Sequence, residues 1–259
     1  MKRAAWIQSL RRLAWIAVVF LSAAMIISAV EKKESSLTST LTIEIEPLPG
    51  EHRLITREDV LEKLKLAFGF DLEGRPLEVI DMERLERVLE EESFVQEANA
   101  FIDSNNHIKI FIRQRQPVLR VIDHNGLNYY LDRDGLRMPL SDHYSARVIV
   151  ATGYLPPHNP DFLARKNNTL KSVFELAELI REDPLFDPLI EQIHVDERNQ
   201  ISLVPKVGEQ RIFLGRAESM EEKLENLKTF YLEALPFEGW EKYKDIDLRY
   251  KGQVVATKS

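Results

Sequence analysis

Residues 95–113 read VQEANAFIDSNNHIKIFIR, and this stretch decides the fold of the first half of the chain. Two runs with apolar residues at alternate positions, Val95–Ile102 and Ile108–Arg113, flank the sequence Asp103-Ser-Asn-Asn106. Such alternation predicts half-buried strands, and Asp, Ser and Asn favour tight turns. The three isoleucines of the second run share one face. The stretch therefore predicts a β-hairpin that buries one side.

The residues before this hairpin supply one more strand and two helices. Leu41–Glu46 (LTIEIE) alternates apolar and polar residues, which predicts a strand. Thr56 can cap a helix whose apolar stripe reaches Phe68, and a second amphipathic helix begins near Asp81. Two helices that cover one face of a small sheet make a compact α+β unit. We predict a βααββ domain over residues 41–115, and this order resembles the POTRA module of exported bacterial proteins.

The sequence after Arg115-Gln-Pro117 changes to short apolar runs separated by Gly, Asn and Asp. We predict a strand-rich β domain with flanking helices over residues 116–259. Its predicted strands are Val118–Ile122, Tyr129–Leu131, Arg147–Ala151, Ile193–Val195, Ile201–Pro205, Gln210–Leu214 and Asp245–Thr257. Its predicted helices are Leu170–Arg181 and one that begins at Ser219, where Glu222 completes a capping box.

An uncharged apolar run, LAWIAVVFLSAAMIISAV, occupies residues 13–30. As a helix it would measure about 27 Å, close to the thickness of a bilayer's hydrocarbon core. Basic residues concentrate before it, which predicts a transmembrane helix with a cytoplasmic tail at 1–12 and an exported body beyond a polar linker at 31–40. The alternative is a cleaved signal peptide. Its apolar region would be only about 7–15 residues long, and Ser28-Ala29-Val30 matches a cleavage site poorly.

The charge of the chain and its lack of cysteine argue against nucleic-acid binding and against thiolate metal sites. The formal net charge is −7, and the basic residues before the apolar run have no accompanying acids, so the exported body is more acidic still. An acidic body argues against nucleic-acid binding, which depends on basic surface facing phosphate. The chain has no cysteine, which excludes disulfides and thiolate metal sites.

No pattern typical of catalysis or of a bound cofactor stands out. The sequence contains no G-x-S-x-G elbow, no S-x-x-K and no glycine-rich phosphate loop, and its six histidines lack the i, i+4 spacing of a zinc helix. Asp132-Arg-Asp134-Gly135 contains part of a calcium-loop pattern, but the third acidic position and the distal Glu are missing, so we interpret it as a hairpin turn. We therefore predict no enzymatic activity, no cofactor and no metal site.

Two further patterns have local structural interpretations. Asn167-Asn168-Thr169 matches a glycosylation site, but the same residues can cap a helix, and we favour the cap. Acidic residues crowd the second helix between Glu83 and Glu92, and the default interpretation of such a face is a solvated surface.

The predicted last strand, Asp245–Thr257, places Ile246, Leu248 and Tyr250 on one face. A terminal strand often lies at a sheet edge, where its unpaired N–H and C=O groups can be completed by an extended partner. Tyr250 could anchor such a partner, since aromatic residues are enriched among interface hot spots. The alternative is an interior strand in which Tyr250 fills the core. The sequence leaves both open.

Four features together resemble the FtsQ/DivIB family of bacterial division proteins over essentially the whole chain. The order of basic tail, single span, POTRA-like unit and strand-rich domain is one, and the entry into the β domain over residues 115–139 is another. The most specific are Ile212-Phe-Leu-Gly215 with the helix Lys223–Tyr231 behind it, and the ending Ile246-Asp-Leu-Arg-Tyr-Lys-Gly-Gln-Val-Val255.

The resemblance implies a non-enzymatic scaffold of the cell inner membrane, enriched at the septum, that helps regulate septal peptidoglycan synthesis. It implies FtsL/FtsB (DivIC)-type bitopic partners, with FtsW/FtsI as further ones. The family binds its partner by strand addition at the end of the β domain. Carried over to this chain, the partner-binding residues are Arg249, Tyr250, Lys251, Gly252, Gln253, Val254 and Val255. The alternative function is a membrane-tethered envelope hydrolase acting on cell wall, which needs a cleft with paired carboxylates of raised pKa.

Overall fold

A computed structural model describes residues 15, 18–22, 25, 37, 38, 40–239 and 242–258 of the chain. The chain divides into two compact units, Met1–Gln114 and Arg115–Ser259. No helix within the described residues is long and apolar enough to cross a membrane. The predicted cytoplasmic tail, most of the predicted span at 13–30 and most of the predicted linker lie outside the described residues.

The first unit has the predicted βααββ order. Its elements are β1 (Thr40–Glu46), α1 (Arg57–Phe68), a 3₁₀ turn (Leu77–Val79), α2 (Met82–Glu90), β2 (Val95–Ile102) and β3 (His107–Gln114). The described strands form a sheet in the order β1-β3-β2, in which β1 is parallel and β2 antiparallel to β3. The predicted hairpin is confirmed as β2 and β3.

Local signals set the boundaries of α1. The Thr56 hydroxyl accepts the N–H of Asp59 at 3.3 Å, and the Asp59 carboxylate accepts the N–H of Thr56 at 2.8 Å, which completes a capping box. Gly69 ends the helix in the left-handed conformation, with φ of 79°. The three isoleucines of β3 are buried and pack with Val60 of α1 and Leu85 of α2. The alternation seen in the sequence thus marks the helix-covered face of the sheet.

The described strands of the second unit form one mixed sheet of nine strands. They are β4 (Pro117–Asp123), β5 (Asn128–Asp132), β6 (Arg137–Met138), β7 (Ile149–Gly153), β8 (Ile190–Val195), β9 (Ile201–Pro205), β10 (Arg211–Gly215), β11 (Tyr243–Asp247) and β12 (Val255–Lys258). Their order across the sheet is β12-β11-β10-β9-β8-β7-β4-β5-β6. The pairs β4–β7, β7–β8 and β10–β11 are parallel, and the other neighbours are antiparallel.

Helices flank this sheet, as predicted. They are α3 (Thr169–Glu182), α4 (Phe186–Leu189), α5 (Met220–Thr229) and α6 (Leu235–Glu238), with a π-helical turn at Phe230–Ala234 and a 3₁₀ turn at Phe162–Ala164. The side-chain oxygen of Asn168 accepts the N–H of Lys171 at 3.2 Å, so the predicted cap of α3 is confirmed. Apolar side chains of α3 and α5 share one core with Leu119 and Ile193 of the sheet.

The interpretation of Asp132 as a turn residue is also confirmed. Its Oδ1 accepts the N–H groups of Asp134 at 3.0 Å and Leu136 at 2.8 Å, and Gly135 has a positive φ of 76°. Its Oδ2 accepts a hydrogen bond from Arg115 Nη1 at 3.1 Å. The carboxylate therefore holds the β5–β6 hairpin together and ties it to the start of the unit.

The predicted capping box at Ser219 is wrong. Ser219 has a left-handed backbone with φ of 50°, and its side chain makes no capping hydrogen bond. An N-cap residue normally has an extended backbone, from which its hydroxyl reaches the first turn of the helix. The Ser–Glu spacing was right, but the backbone conformation at Ser219 prevents the contact.

Candidate functional site

The chain does not end in the single strand predicted over Asp245–Thr257. A turn over residues 248–254 divides this segment into β11 and β12, which pair as an antiparallel hairpin. Gly252 has a positive φ of 67°, and the N–H of Gln253 donates to the carbonyl of Tyr250 at 3.2 Å. The prediction failed because the alternation of apolar residues continues from the strand into the turn.

The predicted partner-binding residues lie together at this turn. Arg249, Tyr250, Lys251, Gly252, Gln253 and Val254 form it, and Val255 begins β12. Ile246 and Leu248 are buried, as the pattern predicted, whereas the side chain of Tyr250 is 55% exposed. Tyr250 therefore does not fill the core, and its ring is accessible to another molecule.

β12 lies at the edge of the nine-stranded sheet, beside β11. The N–H of Leu248 donates to Phe213 in β10, so the peptide groups of Asp247 and Asp245 point the other way, toward β12. By the same alternation the N–H and C=O of Ala256 point away from the sheet. Among the described residues, no side chain hydrogen-bonds to the backbone of β12. Within the part of the chain that the structure describes, this edge has no further strand beside it.

Arg249 is held rigidly at the start of the turn. Its Nε donates to Asp247 Oδ1 at 2.9 Å, and its backbone N–H donates to the same oxygen at 3.0 Å. The guanidinium carbon lies 5.5 Å from the centroid of the Phe213 ring. These hydrogen bonds from Arg249 hold the pKa of the Asp247 carboxyl below its ordinary value, and they raise the pKa of Arg249. The cation is thus held against β10, at the end of the sheet where the turn lies.

Gly215, at the end of β10, makes room for the Arg249 side chain. It has a positive φ of 75°, and a Cβ at this position would lie 2.8 Å from Arg249 Cγ. The sequence pattern indicated only that Gly215 ends a strand. Its second role depends on a contact between strands that are distant in the sequence, for which no local signal exists.

A shallow pocket of about 240 Å³ lies between the turn and the first part of α5. Lys223 forms part of its wall and donates from Nζ to the carbonyls of Leu214 at 2.8 Å and Arg216 at 2.9 Å, which ties α5 to the end of β10. Burial lowers the pKa of Lys223. Tyr250 and Lys251 line the opposite side of the pocket.

The first testable prediction concerns the Asp247–Arg249 pair. Arg249→Met should raise the pKa of the Asp247 carboxyl toward its ordinary value of about 3.9, because the side-chain hydrogen bonds that favour the charged form are lost while the backbone N–H of residue 249 remains. An NMR titration of the carboxyl carbon measures this shift.

The matched control is Arg211→Met, which removes a cation opposite Asp245 in the same sheet and leaves the hydrogen bonds to Asp247 intact. An unchanged pKa of Asp247 in Arg249→Met would refute the pairing.

Comparison with known proteins gives two matches. A family model described as FtsQ/DivIB, C-terminal related, matches residues 116–257, and a POTRA-like domain model matches residues 36–113. No curated protein matches the chain. The first match covers more than half of the sequence and includes the turn and all of β12 except its last residue.

Proposed function

The chain belongs to the FtsQ/DivIB C-terminal related family, and from this premise we propose that it is a cell division scaffold of the bacterial envelope. In this role it binds FtsL/FtsB (DivIC)-type bitopic proteins and, with FtsW/FtsI as further partners, helps regulate septal peptidoglycan synthesis. It works by holding other chains in place and not by converting a substrate.

One observation carries the proposal: β12 is an edge strand, and the turn that leads into it presents an exposed aromatic ring. β12 offers the backbone groups of Ala256, which an extended segment can complete by adding a further strand. The segment would also contact the turn that begins at Arg249, where Tyr250 presents an amphipathic ring. Main-chain hydrogen bonds then supply affinity, and the side chains of residues 249–255 supply specificity.

The proposed location follows from the sequence of the N-terminal segment. We place residues 13–30 across the inner membrane as a single helix, with residues 1–12 in the cytoplasm and the two folded units in the periplasm. With this topology the open edge of β12 would lie in the periplasm, where the exported parts of bitopic partners also lie.

Hydrogen bonds favour the charged form of three aspartates, Asp103, Asp183 and Asp247. A hydrolase needs a general acid of raised pKa. A hydrogen bond from the backbone of His107 lowers the pKa of Asp103, and hydrogen bonds from Arg249 lower that of Asp247. Burial acts to raise the pKa of Asp183, but hydrogen bonds from Lys228 and from the backbone N–H groups of Leu185 and Phe186 together outweigh it, and the net shift is also downward. These three carboxyl groups are therefore unsuited to the role of general acid that the alternative function needs.

A fluorescent protein fused to the N-terminus tests the proposed class of function. We expect fluorescence to concentrate at midcell in dividing cells, because a division scaffold is recruited to the septum. A fusion that carries only residues 1–40 is the control and should spread around the whole membrane. Uniform membrane fluorescence of the full-length fusion in dividing cells would contradict the proposal.

A further inference from the structure

β2 is an edge strand of the POTRA-like unit, and side chains of α2 bond to its outward-facing backbone groups. In the antiparallel β2–β3 pair, Ala98 lies opposite Ile112 and Ala100 opposite Ile110. The N–H groups of these two alanines donate to side chains of α2, so they face away from β3. They are the donors that a further strand would need.

Two glutamates one helical turn apart occupy these donors. Glu86 Oε1 accepts the N–H of Ala100 at 2.7 Å, and Glu90 Oε1 accepts the N–H of Ala98 at 3.4 Å. Residues four apart lie on the same side of a helix, so both carboxylates reach over the same edge. The interpretation of this acidic helix face as merely solvated is therefore incomplete, because it cannot account for these two residues.

We infer that Glu86 and Glu90 form a latch that closes the β2 edge to strand addition by a second copy of this chain. This inference is independent of the proposed function, since it concerns the other unit and an edge that the latch keeps unavailable. Backbone donors already bound to carboxylates cannot pair with another strand until those hydrogen bonds break.

The surface beside β2 indicates that the strand most in need of exclusion from this edge is the β2 strand of a second copy. Phe101 of β2 stacks on Phe111 of β3, with ring centroids 5.7 Å apart. These rings are 47% and 37% exposed, on the face of the sheet opposite the buried isoleucines. If two β2 edges paired, both sheets would continue into one another, and the stacked rings of both copies would lie on the same exposed face of the joined sheet. Exposed apolar residues next to an unpaired edge are a recognised route to self-association.

The opposite edge of the same sheet is covered in a similar way. The N–H of Leu41 in β1 donates to Glu73 Oε1 at 3.1 Å, and the carbonyl of Leu41 accepts a hydrogen bond from Arg57 Nη2 at 3.1 Å. Side chains thus cover backbone groups on both edges of the three-stranded sheet, whereas the described residues leave the backbone of β12 uncovered. The edges at β1 and β2 are therefore closed to strand addition, and the β12 edge differs from them in this respect.

The double variant Glu86→Ala/Glu90→Ala tests the latch in the full chain purified in detergent. Hydrogen bonds to charged groups contribute enough that their loss should accelerate exchange of the Ala98 and Ala100 amides about tenfold or more. Sedimentation velocity should also detect dimers at protein concentrations about tenfold lower than for the unsubstituted chain.

Two matched variants make the result specific. Glu83→Ala/Glu91→Ala removes the same charge from the same helix region without touching β2, and it should behave like the unsubstituted chain. Glu86→Gln/Glu90→Gln retains an acceptor oxygen at each position and should keep the edge closed. If the double alanine variant fails to fold, exchange in Glu86→Ala, which loses the shorter hydrogen bond, decides the question.

Unchanged exchange and unchanged sedimentation in the alanine variant would overturn the inference. Dimerisation of the glutamine variant to the same extent as the alanine variant would also overturn it, because charge repulsion and not hydrogen bonding would then keep the copies apart.

Discussion

Replacing Ala256 with proline is expected to weaken binding of an FtsL/FtsB-type partner at least about 30-fold, which corresponds to about 2 kcal/mol. Proline has no N–H, so the variant removes an outward-facing donor that an added strand would use. The fold should survive, because proline is tolerated on edge strands where the missing N–H faces solvent. Calorimetry with the exported segment of the partner measures the affinity.

Ala256→Thr is the matched control, since threonine keeps the N–H and suits a strand. It should bind normally. Tyr250→Ala removes the exposed ring and leaves the backbone of β12 unchanged, so it separates the side-chain anchor from the main-chain hydrogen bonds. Normal affinity of Ala256→Pro would refute strand addition at β12, and normal affinity of Tyr250→Ala would refute the anchoring role of that ring.

Gly153→Ala is expected to lower the free energy of unfolding by at least about 3 kcal/mol, with a fall in Tm of about 6–12 °C. Gly153 ends β7 with φ of 97°, and a Cβ there would lie 2.1 Å from the carbonyl oxygen of Val195 in β8. A side chain cannot rotate away from a backbone atom, so the parallel β7–β8 pair must separate locally. Thermal and urea denaturation measure the loss.

Gly126→Ala is the control for backbone strain alone. Gly126 has a similar φ of 81°, but no atom lies within 4 Å of the position its Cβ would take. This variant should lose about 1 kcal/mol, the usual cost of left-handed backbone in a residue with a Cβ. Equal losses in the two variants would contradict a collision at Gly153.

The sequence predicted the structure correctly where the contacts that determine it join residues close together in the chain. The caps at Thr56 and Asn168 and the turn at Asp132 each depend on residues within four positions, and all three were predicted. Alternating isoleucines identified the buried face of β3 because period-two alternation has one simple structural meaning. The order of elements in the first unit followed from these signals.

The predictions failed where a distant contact or a backbone conformation decides the outcome. The apolar alternation through Leu248 and Tyr250 continues across the end of β11, so it concealed the turn that makes Tyr250 accessible. The spacing at Ser219 suited a cap, but the left-handed backbone there prevented it. β6 has two residues and α4 four, too few for a periodic pattern to be recognised. Glu86 reaches a strand fourteen residues away, which no helical pattern records.

The parallel pairing of β11 with β10 has a consequence for the order in which the second unit is completed. Parallel neighbours cannot be joined by a tight turn, so residues 216–242 must cross over through α5 and α6 before β11 can take its place. Until then β12 has no strand beside which to lie. A partner that binds β12 as proposed would therefore bind only chains in which the second unit is already complete.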